Sequence, residues 1–170
     1  MMNANSIVYT SNTGFTAEYA RLLGDKTGLP VYSLAEAEQK LAAGNCVIYM
    51  GWLMAGKVQG YKKAAKRYKV QAVCGVGMGG NGFQLQEVRK ANAIPEKTLL
   101  FTLQGGFDIQ KLRGIYKLMM TIMVKTAGKG LAEKQDRTPD EDVMLEMMTQ
   151  GGSRVSAENL AEVLAWVEQG

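Results

Sequence analysis

The chain contains no histidine. That absence removes three chemistries together: a Ser-His-Asp or Cys-His nucleophile, a histidine metal ligand and a histidine general base. Were this chain an enzyme, a cofactor would carry the chemistry. Cysteine is scarce as well, with Cys46 and Cys74 the only two, neither in a Cys-x-x-Cys or other metal-spaced pattern. Each sits in an apolar run that reads as a buried strand, so both are expected as core thiols, not as a bridge or a redox pair. No run approaches the roughly 18 to 20 apolar residues that a membrane-spanning helix needs. The opening Met1 to Ser6 carries neither the basic nor the apolar region of a signal peptide. These absences together lead to the expectation of a cytoplasmic chain.

What is present fits one domain: 170 residues with 46% hydrophobic content allow a sizeable single core. The 20 Lys and Arg against 16 Asp and Glu leave a formal charge of +4, which bears on partners and not on fold. Short apolar runs at 6–10, 30–33, 46–50, 70–76 and 98–103 read as strands, and amphipathic stretches at 15–27, 35–43, 57–68 and 84–92 read as helices. Gly28 and Gly44 are placed as helix stops. Strict alternation of this kind predicts an α/β fold with a doubly wound, five-stranded parallel sheet. After the fifth strand the pattern breaks, and a helical insertion occupies about 104–155. A last helix then opens at Ser156 with a partial capping box, and Leu160, Val163, Leu164 and Val167 form its apolar stripe.

The end of the first strand carries the clearest chemical signal. Ser11, Asn12, Thr13, Gly14, Phe15 and Thr16 join a strand to a helix through a loop dense in hydroxyl and amide donors. A helix N-terminus offers unpaired N–H groups and the positive end of the helix dipole, so the loop suits a phosphate monoester. Gly14 would let the backbone approach the ligand closely. The loop has no lysine and no Gly-Lys-Ser/Thr ending, and it lacks Gly-x-Gly-x-x-Gly, so neither the nucleotide triphosphate loop nor the dinucleotide fingerprint applies.

With its strand end Ile7-Val8-Tyr9, then Ser11, Gly14, Thr16 and Ala20, this segment resembles the signature of the flavodoxin-like FMN-binding family. The resemblance implies FMN as cofactor and electron transfer as activity. It further implies that the isoalloxazine ring lies between the loops after strands three and four, which here contain Trp52, Leu53 and Met54, and Gly77, Met78, Gly79, Gly80 and Phe83. Trp52 is suited to stack on the ring, with Phe83 the candidate for the second face. The glycines would give backbone N–H groups access to the ring edge where negative charge gathers on reduction, or else form a loose turn. Electron-carrier flavodoxins surround this ring with carboxylates, whereas neither loop here holds Asp or Glu. A less negative potential is the expectation.

Two further stretches bear on partners. Tyr61 to Lys69 is rich in lysine and arginine; such a run is usually a solvated helix face, its alternative being a dock for an acidic partner or anionic lipid. No reading motif accompanies it, so nucleic acid is not expected. In the insertion, Leu112, Ile115, Tyr116, Leu118, Met119, Met120, Ile122 and Met123 fill an arc of roughly 200° on a helical wheel. That arc fits a helix packed on the domain or a second subunit, or one lying in a membrane interface or against a bulky apolar substrate. The insertion resembles that of the flavodoxin-domain group that includes menaquinone-dependent protoporphyrinogen dehydrogenase, which implies a quinone partner and peripheral membrane contact. The partner is thus expected to be a redox protein or a quinone.

Overall fold

The computed structural model describes residues 4–170; the segment judged to lack a signal peptide lies partly outside them. Five strands run parallel: β1 (Ser6–Thr10), β2 (Val31–Ser33), β3 (Cys46–Met54), β5 (Lys69–Gly77) and β6 (Leu99–Gln104), the hairpin strand β4 (Lys57–Val58) falling between β3 and β5 in the chain. Their spatial order is β2-β1-β3-β5-β6, with β4 antiparallel on β3. Counted without β4 this is the 2-1-3-4-5 order of a flavodoxin-like doubly wound sheet, whose switch point lies between β1 and β3.

The reason for a parallel sheet is visible in burial. Ile7 and Val8 are both fully buried, as is every residue from Val47 to Met50, so these strands have core on both faces and read as continuous apolar runs. Because successive side chains point to opposite faces, Ile7, Ile48, Met50 and Cys74 join Tyr19 and Leu23 of α1 (Phe15–Thr27) on one side. With them pack Leu160 and Val163, from the closing 3₁₀ turn and α8 (Ala161–Glu168). Val8, Val47, Tyr49 and Val73 face the opposite way. There they meet α2 (Leu34–Lys40), α3 (Tyr61–Arg67) and α4 (Leu85–Asn92) through Ala37, Ala64 and Val88. Helix α1 buries Thr16, Tyr19, Ala20 and Leu23, one stripe at helical spacing, and stops at Gly28, whose φ of 74° admits the N–H···O bond back to Gly24 at 2.8 Å.

Several boundaries differ from the sequence expectations. β3 does not end at Met50: it continues through Trp52, Leu53 and Met54 and turns back into β4. Gly51 within it permits a close approach, since a Cβ there would sit 2.6 Å from the Gln59 carbonyl oxygen. The helix expected at 57–68 therefore starts only at Tyr61, after Gly60 in the left-handed region. Gly44 caps nothing; α2 has already ended at Lys40, with extended Leu41 as its C-cap. Cys46 is half-buried at the start of β3, whereas Cys74 is in the core, and both thiols are free.

The insertion is tied off at its neck by β7 (Gly106–Phe107) pairing antiparallel with β8 (Gly152–Ser153). Between them lie α5 (Gly114–Met123), a π-helical turn at Val124–Gly128, α6 (Lys129–Glu133) and α7 (Pro139–Gln150). Helical backbone thus starts at Gly114, two residues after Leu112, and continues through the π-helical turn and α6 to Glu133. α7 opens on a full capping box, Thr138 with Glu141, and Pro139 in its first turn. At the final helix Ser156 accepts the Asn159 N–H at 3.4 Å, and the chain makes a 3₁₀ turn before α8.

Candidate functional site

A cavity of about 250 Å³ opens at the carboxyl ends of β1, β3 and β5, the place where ligands sit in such sheets. Ser11, Asn12, Thr13, Phe15 and Thr16 line it from the first loop, Trp52, Leu53 and Met54 from the end of β3, and Gly77, Met78, Gly79 and Phe83 from the β5 end. Of the residues singled out in the sequence, Gly14 and Gly80 are not in its wall.

The phosphate-type loop has the donors an anion needs. Helix α1 begins with no side-chain cap, its Ncap being Gly14 at φ 102°, so the first-turn N–H groups keep their capacity for a ligand. The left-handed backbone at Gly14 calls for glycine, and a Cβ there would meet no protein atom within 4 Å. Ser11 Oγ accepts the Gly14 N–H at 3.2 Å, which shapes the turn and leaves the Ser11 O–H to donate. Thr10 points elsewhere. The Tyr49 hydroxyl donates to the Gln59 carbonyl at 2.7 Å, so Thr10 Oγ1, 2.7 Å from the same hydroxyl, donates to it. Burial of Tyr49 pushes its pKa up to about 12, which keeps that proton in place.

The second loop is braced. Asn81 accepts the Gln104 N–H at 2.9 Å and donates to the Asn159 carbonyl at 2.9 Å, the Gly82 N–H reaches the Thr102 carbonyl at 3.0 Å, and Thr102 Oγ1 donates to the Phe83 carbonyl at 3.0 Å. A loose turn is therefore the wrong description. Its glycines serve neighbours as well: a Cβ at Gly77 would lie 3.1 Å from Leu53, and one at Gly79 would run into the Phe83 ring. Trp52 is half-buried and meets Tyr116 of α5 edge-on, at 5.1 Å and 82°. Two non-glycine residues in the cavity wall, Ala55 (φ 49°) and Gln84 (φ 52°), hold left-handed backbone. Strain of that sort concentrates at functional sites.

Sequence reasoning missed the roof. Phe107, Leu112, Met120 and Met123 close the cavity from the insertion, joined by Met144 and Met148 of α7. A clue was there, since Met144 and Met148 share one face of α7 at i, i+4 spacing, but nothing local says which way that face turns. The insertion also brings carboxylates that the two ring loops lack. Asp108 lines the cavity, and Asp140 Oδ1 lies 3.6 Å from where a Cβ at Gly80 would stand. Asp108 is partly offset by Lys111, whose Nζ is 3.8 Å from its carboxylate.

The wide apolar arc of α5 is divided in the structure. Met120 is buried and Met123 half-buried, whereas Ile115, Leu118, Met119 and Ile122 are exposed at 66%, 60%, 44% and 54%. The helix does not spend its whole apolar surface on its own domain. Much of the basic stretch on α3 is a solvated face, with Lys63 paired to Glu38 at 2.7 Å and Arg67 donating to the Glu38 carbonyl at 2.9 Å. Among the described residues no cluster of three His, Cys, Asp or Glu could hold a metal ion, and no helix is long and apolar enough to cross a membrane.

The class defined by these observations is a doubly wound α/β protein with a donor-rich loop, Ser11 to Thr16, and an apolar cavity at its switch point. Comparison with family models, curated proteins and solved structures finds no match.

Proposed function

We propose that this cavity binds FMN and that the chain is a flavodoxin-like redox protein carrying out electron transfer. One observation carries the reading: an uncapped helix N-terminus, preceded by a hydroxyl-rich loop, stands at the mouth of an apolar, aromatic-edged cavity at the switch point. The donor set fits the group, with neutral N–H and O–H donors for the phosphate and Trp52, Leu53, Met78 and Phe83 for a flat ring. When bound, FMN supplies the electron-transfer chemistry that a histidine-free chain without a Cys-x-x-Cys pair lacks. The residues do the rest: Ser11, Asn12, Thr13 and Thr16 orient the phosphate, the Asn81-braced loop fixes the ring's place, and the methionine roof keeps water out.

A second reading follows from the exposed face of α5. Ile115, Leu118, Met119 and Ile122, flanked by Lys117 and Lys125, suit contact with an anionic membrane interface. The adaptable methionine roof suits a bulky apolar electron donor or a quinone. In that reading the chain is a membrane-associated, quinone-dependent dehydrogenase, resembling those that act on protoporphyrinogen.

The test of the first reading is an FMN titration of flavin-free protein followed by tryptophan emission. The second tryptophan, Trp166, packs on Phe101 at 6.4 Å and lines none of the cavity, so a Trp166→Phe variant leaves Trp52 as sole reporter. Saturable quenching at one flavin per chain is expected; emission unchanged at millimolar FMN would overturn the proposal.

A further inference from the structure

The loop that receives the phosphate is itself uncharged: residues 10–16 contain no lysine or arginine. Its pull on an anion comes from N–H groups, hydroxyls and the α1 dipole alone. The insertion brings two cations to it. A second, shallower cavity shares Asn12 and Thr13 with the main one and is completed by Gln110, Lys111 and Arg113. Lys111 Nζ lies 6.0 Å from the centre of the Phe15 ring at the start of α1. The turn presenting it is ordered by Asp108, whose carboxylate accepts the Gln110 N–H at 3.1 Å and whose carbonyl accepts the Lys111 N–H at 3.2 Å.

The charges do not cancel. Among the described residues Asp108 pairs with no cation but Lys111, at 3.8 Å, and Arg113 joins no salt bridge. Two cations against one carboxylate leave a net positive charge beside a neutral loop. A phosphate monoester is close to a dianion at neutral pH, and charge-assisted bonds from lysine and arginine are the strong ones available to it. Exposed cations are most often simply solvated. Here two of them converge on the one loop built for an anion, from a segment about a hundred residues further along the chain.

We propose that Lys111 and Arg113 clamp the phosphate of the bound flavin, so that the insertion forms part of the cofactor site. The inference rests on the FMN reading above. A flavin without a phosphate separates the two. FMN and riboflavin are titrated into flavin-free wild type and a Lys111→Gln, Arg113→Gln variant, at low and high salt, with thermal melting as the control for folding. The variant is expected to bind FMN about tenfold more weakly and riboflavin as before, while a Lys111→Arg, Arg113→Lys variant retains wild-type affinity. Wild-type affinity for FMN falls with added salt, more steeply than that of the glutamine variant. Unchanged FMN affinity in the variant, an equal loss for riboflavin, or a wild-type FMN affinity indifferent to salt would each overturn the clamp while leaving the cofactor assignment standing. Wild type that binds neither flavin overturns both.

Discussion

Gly106 is where the insertion's neck meets Phe15 at the end of the Ser11 loop, and Gly106→Ala is the sharpest perturbation of that junction. A Cβ there would stand 2.5 Å from the Gly152 carbonyl oxygen and 2.6 Å from the Phe15 ring. Ordinary contact begins near 3.4 Å, so the neighbours must retreat by about 0.9 Å. The phenyl ring can swing. The carbonyl cannot move that far without loosening the two-residue ladder in which Gly106 opposes Ser153 and Phe107 opposes Gly152. Overpacking of this kind costs about 1 to 3 kcal/mol, which for a chain of this length lowers the melting temperature by about 2 to 12 °C. Gly130→Ala is the control. It lies in α6 with nothing within 4 Å of the added methyl, so the better helix former gains up to about 1 kcal/mol. Scanning calorimetry of both variants checks the pair: Gly106→Ala melts lower and Gly130→Ala the same or higher. A Gly106→Ala protein melting within a degree of wild type would refute the close neck and, with it, the placement of the insertion against Phe15.

Other consequences follow from particular residues. The β3–β4 hairpin turns on Ala55 and Gly56, at φ 49° and 75°, a pair that favours Asn-Gly; Ala55→Asn should raise stability by about 1 kcal/mol in urea unfolding. Burial raises the Cys74 thiol from 9.0 to about 12 and the Tyr49 hydroxyl from 10.0 to about 12. Both groups stay protonated in the folded chain where the unfolded chain has lost the proton, so stability is full below pH 9 and falls as pH rises toward 12. Urea midpoints measured at pH 8, 9, 10 and 11 should decline, and Cys74→Ala should flatten the stretch between 9 and 10. If α5 meets a membrane, wild type co-sediments with anionic liposomes and a Met119→Asp, Ile122→Asp variant does not; no binding by either removes the membrane reading. Met123 is unsuitable for that test because it lines the cavity.

The strands were legible because buried parallel strands are unbroken apolar runs, and 6–10 is matched residue for residue by β1. The loop at Ser11 was legible for a chemical reason, as one capping residue would suffice for a helix and this loop has a surplus of donors. Elsewhere a local rule lost to a tertiary one. Trp52 reads as part of a loop after the third strand, yet Gly51 makes room for Gln59 inside β3 and Trp52 lies on the strand. The missing side chain of Gly79 also accommodates Phe83, a contact that the glycine pattern did not announce. The absence of Asp and Glu from the two ring loops is real, but Asp108 and Asp140 arrive from the insertion. The expected less negative potential therefore depends on how far Lys111 offsets Asp108. None of this was readable from the strand and helix pattern, because each contact depends on how the chain turns back on itself, from Gly79 on nearby Phe83 to Gly80 beside the distant Asp140, and that is settled by packing and not by periodicity.

The central claim is tested most directly by the absorption spectrum of the purified chain, with acid extraction and identification of what it carries. A yellow protein with a flavin absorption spectrum, releasing one FMN per chain, is the predicted result. A colourless protein that stays colourless after incubation with excess FMN and gel filtration would contradict it.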